Sequence, residues 1–164
     1  MNSELDQLAK RYLLASEESR PLALAFGLAC AKRIEHLLEQ AEVVDCLRAL
    51  EAHVSGNEPE QGLPYWAIEA ARLANQHQGS KSIDGCGHSA VSASYGVSNA
   101  IAGKAIEAAS YCAYALVYSS GGYGAVGQVE AFAPEVTWQA QTLQRLAKNY
   151  QAAGVTTGNT AGDL

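Results

Sequence analysis

Cys86 and His88 stand two residues apart, the closest pairing of a thiol with an imidazole in this chain of 164 residues. Zinc needs several such ligands at tight spacing, and no second pair lies near this one. A carboxylate-bridged di-metal bundle needs Glu-x-x-His on two helices. The residues three before the four histidines are Arg33, Leu50, Ala74 and Gly85, so that class is excluded. Serines crowd the stretch from Ser89 to Ser110, but no G-x-S-x-G turn marks one as a nucleophile. His88 could act as a general base only if the fold brings an acid to it. Gly121-Gly122-Tyr123-Gly124 lacks the Lys-Ser/Thr and the preceding strand of a phosphate cradle, and reads as a loop. No catalytic, cofactor-binding or metal-ligating set is expected. A cleft around His88, serving an enzyme or a small-molecule binder, is the alternative reading.

Two surface features could instead serve recognition. Glu35, Glu39, Glu42 and Asp45 place four carboxylates within eleven residues. Held together, they would form a negative ridge that speeds the approach of a basic partner; a solvated outer face would look the same. Trp138, with Thr142 and Arg145, falls opposite the apolar stripe of the last helix. An exposed Trp beside Arg is a typical interface anchor, and packing under a neighbouring element is the other explanation. Tyr65-Trp66 is ambiguous in the same way.

Net charge is −6, which disfavours binding to nucleic acid or anionic membranes through the protein's own field. Basic residues are scattered singly, never as an aromatic-interleaved patch. The acidic excess is uneven: residues 1–60 hold eleven Asp/Glu against six Lys/Arg, and residues 61–164 hold six against five. The opening residues lack the basic and apolar regions of a signal peptide, and no apolar tract reaches membrane-spanning length. Cytoplasmic location is the expectation, with Cys30, Cys46, Cys86 and Cys112 as reduced, buried thiols.

The elements that must position these residues are helical. Hydrophobic content is 48% but aromatic content only 7%, so the apolar residues are mainly Ala and Leu, which favour helix. Residues 86–117 contain nineteen Ala, Gly, Ser or Cys and only two charges, Lys104 and Glu107. So few charges exclude a solvated face, and such small side chains permit close approach of backbones. The stretch is expected to form two tightly packed helices, broken near Gly96–Ser98 or at Gly103. Elsewhere the spacing predicts a helix over 3–15, and a long amphipathic one over 19–41, capped by Ser19 with Pro21 in its first turn. A third is expected over 43–55 and stopped by Gly56-Asn57. A fourth, over 64–78, would turn Ile68, Ala71 and Ala74 inward. Linkers are expected over 56–63 and 79–85, and a flexible Gly-Tyr loop over 119–127. A last helix covers at least 134–151, burying Val136, Ala140, Leu143, Ala147 and Tyr150, with a disordered tail over 152–164. Strand patterns and fixed repeats are absent. The fold expected is all-α, a single domain over 1–151 of six or seven mostly antiparallel helices.

The segment Ala25-Phe26-Gly27-Leu28-Ala29-Cys30-Ala31-Lys32-Arg33-Ile34, followed by Cys46-Leu47-Arg48-Ala49-Leu50-Glu51-Ala52 and Gly56-Asn57, resembles the opening helical pair of an immunity-protein family. That family is the immunity protein five-like helical domain of bacterial polymorphic toxin loci. Ala108-Ala109-Ser110-Tyr111-Cys112-Ala113, and Glu135-Val136-Thr137-Trp138-Gln139 with Leu143-Gln144-Arg145-Leu146, extend the resemblance over roughly residues 20–148. It implies a non-enzymatic helical protein that neutralises a toxin domain by direct binding, and it carries no catalytic residues over. Glu35, Glu39, Glu42, Asp45, Trp138 and Arg145 are the candidate partner-binding residues. Assembly with further copies of the chain is a third possibility.

Overall fold

A computed structural model describes residues 3–77 and 86–158. Among them are seven α-helices and no strand: α1 (Ser3–Arg11), α2 (Arg20–Arg33), α3 (Ala41–Val54), α4 (Leu63–Gln76), α5 (Cys86–Ile101), α6 (Ala105–Val126) and α7 (Val129–Gly158). The fold is all-α. The linker expected over 79–85 lies outside the described residues. α7 runs to Gly158, into the stretch expected as a disordered tail, and 159–164 lie outside the described residues.

The small-residue stretch forms the hairpin α5–α6, with α2 laid across it. Ala93, Val97, Ala100, Ala108, Cys112 and Ala115 are all fully buried. Contact is as close as glycine allows. A Cβ on Gly96 of α5 would stand 2.7 Å from Cys112 Sγ of α6, and one on Gly27 of α2 would stand 3.1 Å from Cα of Ala100. The hairpin turns at Gly103, whose φ of 78° suits a residue without a side chain. Of the two breaks expected, this is the one the chain makes.

Five expectations are corrected. The long second helix ends at Arg33, because Ile34 leaves helical geometry (φ −109°, ψ 7°) to stay in the core. A 3₁₀ turn, Glu35–Leu37, then leads to α3. α2 is also not one-sided: Leu22 through Gly27 are all buried, as suits a helix covered by α5, α6 and α7. Ser19 occupies the N-cap of α2, yet its Oγ donates to Tyr12 O at 2.8 Å instead of capping the helix. In α4 the buried stripe is Leu63, Ala70, Leu73 and Ala74, which hides more apolar area than a stripe through Ile68; Ile68 is 73% exposed. The expected Gly-Tyr loop is helical to Val126, broken only at Gly122 (φ 63°, ψ −157°).

An ion pair joins α7 to α2 where the two helices pack. Arg33 grips Glu135 with Nε 2.9 Å and Nη2 2.7 Å from Oε2, and its guanidinium carbon lies 4.1 Å from the Trp138 ring centroid. Glu135 is only 5% exposed, so the fork supplies the charge and hydrogen bonds that its burial requires.

Candidate functional site

His88 sits exposed at the start of α5, where α6 supplies its neighbours. Its ring stacks on Tyr118 at 5.4 Å and meets Tyr123 edge-on at 5.0 Å. The break at Gly122 brings Tyr123 back toward Tyr118 (6.0 Å). Among the described residues no carboxylate lies within ion-pairing distance of His88, and His88 lines neither of the two cavities described below. Its surroundings are therefore aromatic and wet rather than acidic and enclosed.

The aromatic row continues along α6. Tyr114 stands 6.3 Å from Tyr118 and meets Phe132 of α7 edge-on at 5.1 Å. Phe132 and Tyr114 in turn wall a cavity of about 640 Å³ between α1, α6 and α7. A second recess, between α1 and the start of α6, is lined by Leu13, Leu14, Lys10 and Lys104. Sequence reasoning passed over the first of these walls. Of the helical row Tyr111, Tyr114 and Tyr118 only Tyr114 lines it, and one ring in an Ala-rich stretch gives little signal.

The carboxylate ridge divides. Glu35 is drawn into a charge network on the outer side of α2 and α3: it pairs with Lys32 (3.0 Å) and with Arg48. Glu51 completes the network, 2.9 Å from Arg48 and 3.5 Å from Lys32. The hydrogen bond from Arg48, with Lys32 beside it, holds the Glu51 carboxyl below its usual range. Glu39 lies 3.7 Å from the ring of His77, at the end of α4. Glu42 and Asp45 are exposed on α3 and make no ion pair among the described residues. They adjoin α4. Arg72 titrates above its ordinary range chiefly through its hydrogen bond to Glu69, with Glu42 and Tyr65 adding to the effect. The outer stripe of α4 beside them carries Tyr65, Ile68, Glu69 and Arg72, with Tyr65 and Ile68 both exposed.

Trp138 is half-buried, packed against the core beneath Arg33, and Thr142 is buried; of that group Arg145 alone is exposed. Trp66 is likewise packed against the core, and its indole N–H is buried without an acceptor among the described residues. Burial pushes up the thiols of Cys30 and Cys112, and that of Cys46 to about 11, with Glu69 and Asp45 adding to the last. Such thiols are poor nucleophiles. The structure thus brings Glu42 and Asp45 together with two apolar side chains of α4 and keeps them apart from Trp138 and Arg145 on α7. No family model, curated protein or solved structure matches this chain. Among the described residues no helix is long and apolar enough to cross a membrane.

Proposed function

We propose that this chain is a non-enzymatic binding protein of the cytoplasm, which neutralises a basic protein partner stoichiometrically as an immunity protein does its toxin. One observation carries the reading: Ile68 and Tyr65 stand exposed on α4, which packs against α3, where Glu42 and Asp45 are exposed with no ion-pair partner among the described residues. A large β-branched side chain exposed on a helix gains nothing for the fold, whereas at an interface it supplies apolar area. Carboxylates around it steer a cationic surface onto that area and raise the association rate. The resemblance of residues 20–148 to the immunity-protein family agrees with this role.

Co-expression with the product of the adjoining gene tests the proposal. A one-to-one complex is expected, and Glu39→Lys with Glu42→Lys and Asp45→Lys should slow association at least tenfold at low salt. The melting temperature should barely move, since all three side chains lie outside the core. An adjoining product that forms no complex removes the immunity role. A complex that forms at the unaltered rate removes this face as the docking surface.

A further inference from the structure

We infer that the cavity between α1, α6 and α7 is a binding site for a small protonated amine with an apolar body. The inference is independent of the proposed protein partner, which the α3–α4 face serves.

The cavity encloses about 640 Å³, within the roughly 300–1,000 Å³ common for small-molecule sites. Its walls are apolar. Ile106 and Tyr114 come from α6, and Val129, Phe132 and Val136 come from α7. Val129, at the lip, is 81% exposed, although the same helix buries Ala140, Leu143 and Ala147 further along. The edge-to-face pair of Tyr114 and Phe132 gives the wall both a ring face and a ring edge, and a ring face attracts cations.

The charged groups decide the class of ligand, because both are carboxylates. Asp6 of α1 and Glu107 of α6 are the charged residues lining the cavity, and neither has an ion-pair partner among the described residues. Gln139 also lines it while being only 2% exposed. One N–H of its amide nitrogen donates to Ala109 O at 2.8 Å, an assignment that a carbonyl partner makes unambiguous. Its Oε1 accepts no hydrogen bond among the described residues. That oxygen is not sealed from solvent, so water answers it until a ligand donor takes the water's place. Both carboxylates also border the second recess, which Lys10 and Lys104 line; within this cavity they are the charged groups and favour N–H donors carrying positive charge. An anion would meet repulsion, and a neutral hydrocarbon would leave the acceptors unanswered.

The test titrates 4-phenylbutylamine into the whole chain at pH 7, with 4-phenylbutanol and 4-phenylbutyrate as neutral and anionic counterparts, read by amide chemical shifts. Saturable binding of the amine is expected, with the largest shifts at residues 106–114 and 129–139. The alcohol should bind at least tenfold more weakly, and the carboxylate should not bind. Asp6→Asn with Glu107→Gln, both on residues outside the core, should weaken the amine at least tenfold while leaving affinity for the alcohol unchanged. Val129→Lys, which adds a cation at the lip, should weaken the amine without altering the rest of the spectrum. Equal binding of amine and alcohol, shifts centred elsewhere, no saturation, or undiminished affinity in the double variant would each overturn the inference.

Discussion

Three helices end with the same pair of backbone hydrogen bonds, yet only two of them carry the residue this ending favours. After α3 the N–H of Asn57 reaches Ala52 O (2.8 Å), and after α5 that of Lys104 reaches Asn99 O (2.9 Å). The residue between is glycine each time, Gly56 at φ 83° and Gly103 at φ 78°. After α1 the N–H of Leu14 reaches Ala9 O at 2.9 Å, and the left-handed position belongs to Leu13, at φ 51°. A side chain in that conformation costs about 1–2 kcal/mol. Leu13 is 63% exposed, so little packing repays it. Leu13→Gly should therefore stabilise the protein by about 0.5–1 kcal/mol, net of the greater freedom glycine gives the unfolded chain. Thermal unfolding checks this: a rise of roughly 1–4 °C is expected for a chain of this size. A fall would mean that the leucine side chain makes contacts worth more than the strain. The same contrast explains what could be read in advance. Gly56 marks its helix end in the sequence and Gly103 was one of two candidates, but nothing about a leucine announces a stop. The first helix was accordingly expected to run on to residue 15.

At the scale of elements, side-chain size was a better guide than periodicity. Counting small residues identified α5 and α6 as a close-packed pair, and the contact at Gly96 bears that out, while Gly27 brings α2 as near to α5. Periodicity failed where two stripes competed. In α4 the stripe through Ile68 lost to the one through Leu63 and Leu73. Between Ile34 and Ala41 no Gly, Pro or Ser interrupts the pattern, so a helix that in fact breaks read as continuous. The close contact can be tested by a change of sign. Gly96→Ala gains about 1 kcal/mol of helix propensity but drives a methyl toward Cys112 Sγ, and overpacking costs about 1–3 kcal/mol. Net destabilisation is expected in the native background. With Cys112→Ala already in place the obstructing sulfur is gone, and the same Gly96→Ala should become stabilising. Denaturant unfolding of the four proteins in the cycle measures the coupling directly. If Gly96→Ala has the same sign in both backgrounds, α5 and α6 are not held apart by that contact.

For the whole molecule, the surplus of acid in residues 1–60 resolves into two populations. Part of it is consumed internally, by the Lys32–Glu35–Arg48–Glu51 network and by the ring of His77, and part remains free at Glu42 and Asp45. The sequence showed the clustering of carboxylates but not this division, because which ones meet a cation depends on how α2, α3 and α4 come together. Ile68 was placed inside with the stripe of Ala71 and Ala74, so its exposure near those carboxylates' helix could not be anticipated. The division bears on assembly. The most tightly packed small residues of α5 and α6, Ala93, Ala100, Ala108 and Cys112 among them, are buried within one chain. A symmetric dimer built on the α3–α4 face would set the same patch against itself, placing Glu42 and Asp45 of one copy against those of the other, with like charges opposed. The isolated chain should therefore scatter light as a monomer of 17.3 kDa. Ile68→Asp should leave both that mass and the melting temperature nearly unchanged, the latter within about 2 °C, since an exposed substitution is usually worth no more than about 0.5 kcal/mol. A doubled mass that Ile68→Asp returns to a single chain would show instead that this face is closed by a second copy, and the exposed isoleucine would then belong to a subunit interface.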